Sequence, residues 1–198
     1  MKPYLKLAGT LIIAVSGALI LTQLQGCVGG IIAAGGAGAA VAVDRRTAGT
    51  IVDDEAIELK ISTSINQDQA IGEQAHINIT SYNNIVLLTG ETPTDAMRNH
   101  VVDVTRQTEK VRKVYNEIAV TEPTTVKSRS EDTWITAKVK TKLLGIKEIS
   151  AANIKVITEN RVVYLMGLVS HDEAQAAAEA ARFVEGVTKV VTLFEYLD

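Results

Sequence analysis

The second half of this chain repeats the first, and a duplicated unit of fewer than seventy residues leaves few folds open. Asp54-Glu55-Ala56-Ile57-Glu58-Leu59-Lys60-Ile61 recurs 78 residues on as Asp132-Thr133-Trp134-Ile135-Thr136-Ala137-Lys138-Val139. Ile85-Val86-Leu87-Leu88-Thr89-Gly90 returns after 77 residues as Val162-Val163-Tyr164-Leu165-Met166-Gly167, and Glu109-Lys110-Val111-Arg112-Lys113-Val114 after 76 as Glu185-Gly186-Val187-Thr188-Lys189-Val190. Three matched blocks in one order define two homologous units, 53–121 and 131–198.

The periodicity changes in the same way within each copy. Ile57, Ile61 and Ile65, like Ile135, Val139 and Leu143, recur every four residues and share one helical face. Alternation follows at Ile77 and Ile79, or Ile154 and Val156. A turn at Asn83-Asn84, or Glu159-Asn160, then precedes a second apolar run, which predicts a hairpin. A second helix should start near Thr94-Asp95 and at Ser170, where Ser170-His171-Asp172-Glu173 fits a capping box. Arg112–Val120 and Thr188–Tyr196 alternate like strands. The expected class is therefore α+β: two tandem αββαβ domains, each a three-stranded sheet covered on one face by two helices. Units this small bury only about 60% of their unfolded surface. The polar, aperiodic stretch 122–130 is the expected linker.

These paired units resemble BON domains, most closely at Asp132-Thr133-Trp134-Ile135-Thr136 and Val163-Tyr164-Leu165-Met166-Gly167-Leu168-Val169. Two positions depart from the family pattern. The glycine before the last strand is Gly186 in copy two but Lys110 in copy one, and the asparagine within that strand is Asn116 in copy one but Thr192 in copy two. The departures bear on turn geometry.

The N-terminus sets the compartment. The first 43 residues carry only Lys2 and Lys6 as charges, whereas the remainder carries 18 basic and 23 acidic groups. Basic Lys2 and Lys6, an apolar run from Leu7 to Leu21 and Leu24-Gln25-Gly26-Cys27 read as a signal peptide over 1–26. Leu24-Gln25-Gly26-Cys27 resembles a bacterial lipobox, which implies cleavage before Cys27 and its acylation, with palmitate among the chains. Each buried methylene adds about 0.8 kcal/mol, so several chains on one cysteine anchor firmly. By the same resemblance, Val28 after the cysteine points to the outer membrane. The alternative is an uncleaved anchor helix continued by the tract from Gly29 to Val43, which is rich in poor helix formers. Residues 27–52, including Asp44 to Thr50, are expected to form a flexible tether.

The two copies differ on their first helices. Asp53 to Asp68 holds five acids and one lysine; Glu131 to Lys147 holds two acids and four lysines. With the core stripe at Ile135, Val139 and Leu143, Trp134 and Leu144 fall about 140° from its centre, on opposite sides. Lys138 and Lys140 border that outward arc, and Thr141 lies within it. The equivalent residues of copy one are Ala56 and Asn66. An indole suits the membrane–water interface, and each lysine near an anionic surface adds about 1 kcal/mol. This predicts a phospholipid-binding face of Trp134, Lys138, Lys140, Thr141 and Leu144. An indole folded back on the sheet edge, or packed against the first unit, is the other reading. Resemblance to dual-BON outer-membrane lipoproteins favours the first, because it assigns binding of anionic phospholipid, phosphatidylglycerol or cardiolipin, to this helix. It also implies a role in envelope integrity, including at division sites.

Little else carries chemistry. The net-negative body lacks the broad cationic surface that nucleic acid requires. One cysteine allows neither an internal disulfide nor a cysteine metal cage. His76, His100 and His171 have no metal-ligand spacing, and no Gly-x-Ser-x-Gly or phosphate-binding loop occurs, so neither metal, cofactor nor enzyme activity is expected. A hydrolase would need a cleft holding perturbed carboxylates. Gly90, Gly167 and Gly186 are expected to be structural. The competing function is a lipid-tethered adaptor whose acidic first unit recruits an envelope protein.

Overall fold

The computed structural model describes residues 44–197, which belong to one compact unit. Cys27, the segment before it and most of the expected tether lie outside the described residues.

Domain 1 runs α1 (Ala48–Asn66), a short α2 (Gln69–Gln74), β1 (His76–Tyr82), β2 (Ile85–Thr92), α3 (Asp95–Gln107) and β3 (Lys113–Val120). Domain 2 runs α4 (Val126–Leu144), a single 3-10 turn (Ala151–Asn153), β4 (Ile154–Glu159), β5 (Val162–Val169), α5 (His171–Arg182) and β6 (Lys189–Tyr196). Each sheet has its second strand in the middle, antiparallel to the first and parallel to the third. The third strand must therefore return by a crossover, and the second helix supplies it.

The central strands are buried on both faces, and their side chains divide by parity. In β2, Val86 and Leu88 meet the helices of domain 1 beside Ile57, Ile61 and Val101, while Ile85 and Leu87 point the other way. In β5, Val163 and Leu165 pack under α4 and α5, and Tyr164 and Met166 point away. The outward sets close on each other: Tyr82, Ile85, Leu87, Tyr164, Met166 and Leu193 form one buried cluster between the two sheets. Each sheet is thus covered by helices on one face and by the other sheet on the opposite face.

Polar groups fasten the rim of this seam. Asn160 donates to Glu91 at 2.7 Å, Asn83 to Glu195 at 2.6 Å and Asn78 to Glu159 at 2.7 Å. Arg112 pairs with Glu195 and Lys155 with Glu58, both across the seam.

Asp44 to Thr50, expected as tether, is part of the fold. Thr47 caps α1, which begins at Ala48. Arg45 makes a two-pronged pair with Glu173 of domain 2 and donates to the Leu168 carbonyl. Arg46 bonds Asp44 and Asp54 and lies 4.1 Å from the centre of the Tyr82 ring. The arginines hold this segment in place because each finds carboxylates at the seam.

The linker is also shorter than the composition suggested. Thr125 accepts from the Ser128 amide and starts α4 at Val126, inside the stretch 122–130. The second hairpin turn is Asn160-Arg161 rather than Glu159-Asn160, matching Asn83-Asn84; all four residues have positive φ, between 49° and 65°. That is the mirror-image turn suited to the twist of paired strands.

Gly90 and Gly167 sit inside β2 and β5, where a Cβ would lie 1.9 Å from the His76 carbonyl oxygen and 2.5 Å from that of Asn153. Lys110 adopts φ 70° where Gly186 has 96°, so the family departure leaves the turn intact. Its ammonium pairs with Asp53 at 2.7 Å.

Candidate membrane-binding face

The orientation of α4 follows from three buried apolar residues and one buried carboxylate. Ile135, Val139 and Leu143 face the core, and Asp132 accepts the amides of Asn160 and Arg161 at 2.9 and 2.8 Å. A carboxylate that satisfies two orphan turn amides fixes both the hairpin and the rotation of the helix. Asp54 does the same for Asn83 and Asn84 at 2.9 and 2.8 Å, and also accepts from the Ser81 hydroxyl. These aspartates were not expected as functional positions, although they stand at matching places in the first repeated block.

With that rotation fixed, Trp134 and Leu144 point to solvent, 67% and 75% exposed. The indole neither folds back on the sheet nor packs on domain 1. Lys140 and Thr141 are exposed beside them, the Thr141 hydroxyl donating to the Ala137 carbonyl. Lys138 is half-buried and donates to the Glu185 carbonyl, so its charge lies low on the flank rather than at the crest. Along this flank runs an open groove of about 580 Å³, lined by Lys127, Trp134, Lys138, Arg161, Glu185 and Gly186. Gly186 is close-packed, since a Cβ there would meet Ile135 at 3.1 Å.

Two features went unforeseen. Phe183, just past α5, is 65% exposed, with the Lys142 ammonium 5.9 Å and the Arg182 guanidinium 4.8 Å from its ring centre. Second, Val52 and Leu59 are exposed on α1, seven residues apart and so on one face, beside Glu55.

A second cavity, about 380 Å³, opens between the domains and includes His76, Asn78, Arg129, Thr136 and Glu159 in its lining. Burial pushes the Glu159 carboxyl above the usual carboxylate range, while the amide of Asn78 opposes the shift. A perturbed carboxylate in a cleft meets part of the condition set for a hydrolase. Its Oε2, however, is taken by Asn78 and Thr89, and the Thr89 hydroxyl that donates to it is itself buried. Among the described residues no group of three His, Cys, Asp or Glu side chains converges as a metal site, and no helix is long and apolar enough to cross a membrane.

The architecture defines a class: a tandem of two small αββαβ domains packed sheet against sheet. The BON domain family model matches residues 53–122 and 131–198, and the chain belongs to that family. It is a dual-BON protein of the DolP type. It is 39% identical to outer membrane lipoprotein DolP of Haemophilus influenzae over 88% of this chain and 91% of that protein. Similarity to a 21 kDa hemolysin of Actinobacillus pleuropneumoniae is 43% over 78% of this chain and 80% of the relative. Osmotically-inducible protein Y of Escherichia coli is 29% identical over 72% of each chain.

Proposed function

We propose that this chain is an outer-membrane lipoprotein, anchored through acylated Cys27, which binds anionic phospholipid through α4 and supports envelope integrity, including at division sites. Its action is binding rather than catalysis. The name and length of the Haemophilus relative support the location. The observation that carries the lipid reading is the exposed pair Trp134 and Leu144, on a helix whose counterpart presents Ala56 and Asn66 among acids. Aromatic insertion with nearby ammonium groups is the way a peripheral helix holds an anionic surface.

A chain starting at Asp44 retains every contact described above. That form should float with phosphatidylglycerol-rich vesicles and stay in solution with phosphatidylcholine. Trp134→Glu should abolish flotation while the thermal melt is unchanged; undiminished flotation would refute the assignment to this face.

The adaptor reading keeps one observation in its favour. Val52 and Leu59 form an exposed apolar stripe beside Glu55, suited to a basic, apolar protein segment. If the wild-type soluble form fails to float, that reading takes precedence.

A further inference from the structure

We propose that Phe183 is a second insertion point for the anionic bilayer, making the membrane contact a two-element surface of α4 and the turn after α5. This deepens the lipid-binding reading and rests on it.

The placement comes from contacts along α4. Gly186 abuts Ile135, Lys138 donates to the Glu185 carbonyl, and Lys142 approaches the Phe183 ring. The segment from Phe183 to Gly186 therefore runs beside α4 from Lys142 back to Ile135. At 100° per residue, Lys142, Lys138 and Trp134 lie roughly 60°, 100° and 140° from the core stripe, all on the same side. Phe183 thus borders the flank that carries Trp134, about 12 Å further along the axis at 1.5 Å per residue. Leu144 lies on the opposite side of the arc. Trp134, Leu144 and Phe183 are three apolar points that do not fall on one line, so together they set the tilt of domain 2 on a surface.

Burial and charge identify the occupant as lipid. Val184, the next residue, is buried in the core, whereas Phe183 is left 65% open although two cations lie near its ring. An aromatic ring with neighbouring Lys and Arg groups matches the boundary between acyl chains and phosphates. The repeat supplies a control. The domain 1 counterparts of Phe183 and Lys142 are Gln107 and Ser64, while Arg106 matches Arg182. The aromatic ring and one of its cations are thus peculiar to the domain that carries Trp134.

Trp134 is the only tryptophan, which allows a direct test. The full chain is reconstituted in vesicles of phosphatidylglycerol or phosphatidylcholine carrying brominated acyl chains, either as wild type or as Trp134→Phe/Phe183→Trp. With phosphatidylglycerol, emission from position 183 should shift to the blue and be quenched at least twofold; with phosphatidylcholine it should not. Phe183→Gln, the domain 1 residue, should reduce quenching of Trp134 about threefold with an unchanged melting temperature. Quenching at Trp134 but not at 183 would overturn the second insertion point and leave the α4 reading standing. If neither position is quenched, both fall.

Discussion

The two first helices, α1 and α4, are alike where they face inward and opposed where they face water. Inward, Asp54 with Ile57, Ile61 and Ile65 is matched by Asp132 with Ile135, Val139 and Leu143, and each aspartate holds its own hairpin turn. Outward, α1 shows acids with Val52 and Leu59, whereas α4 shows lysines with Trp134 and Leu144. A duplicated scaffold keeps the residues that satisfy its buried polar groups, because an orphaned turn amide costs stability directly. The outer arc carries no such penalty and is free to diverge. Difference between copies is therefore the signal for function, and sameness the signal for folding.

The largest effect should come from breaking the shared part. Asp132→Ala strands two turn amides and should lower unfolding stability by about 3 kcal/mol. Asp54→Ala should cost at least as much, since it also takes one of its two carboxylate partners from Arg46 and leaves the Ser81 hydroxyl without its acceptor. Calorimetry distinguishes the cases, and a loss under 1 kcal/mol in either variant would break the equivalence of the copies.

A smaller effect should expose a difference between the second helices. Domain 2 closes its second helix with a capping box through Glu173, which also holds Arg45, whereas domain 1 has Met97 at that position. The Arg45 guanidinium, against the cost of burial, holds the Glu173 carboxyl down to about 2, from an ordinary value of 4.5. A depressed folded-state value contributes stability above about pH 4.5 that is lost as pH falls toward 2. Glu173→Gln should cost about 2 kcal/mol at neutral pH and flatten the acid side of the stability profile, as followed by urea titration.

The smallest effect carries the opposite sign. Glu159 is held above its ordinary value by burial, so its ionised form weighs against folding near neutrality, and that cost is relieved as pH falls through the raised value. Glu159→Gln keeps an acceptor for Asn78 and Thr89. It should leave stability at pH 7 unchanged or raise it by up to about 1 kcal/mol, with less gain in acid. A clear loss at pH 7 would mean that the charged carboxylate holds the seam.

The element order, the caps at Thr94 and Ser170 and the exposure of Trp134 and Leu144 were legible in the sequence because helical and strand periods mark them directly. The seam was not foreseen, although its signature is present. Ile85-Val86-Leu87-Leu88 and Val162-Val163-Tyr164-Leu165-Met166 do not alternate with polar residues, as a sheet with one wet face would. Arg45 was read as tether because nothing local signals its partner: Glu173 lies 128 residues away. Phe183 was missed because it lies just past the helix, where no periodic pattern says which way a side chain points.

The arginine strap has a mechanical consequence. The chain enters the described fold at Asp44, and its next two residues are bolted to both domains at their junction. Tension transmitted along the N-terminal segment is delivered to Glu173 and Asp54 together before it reaches the first turn of α1. A load applied there is shared between the two halves from its first point of entry.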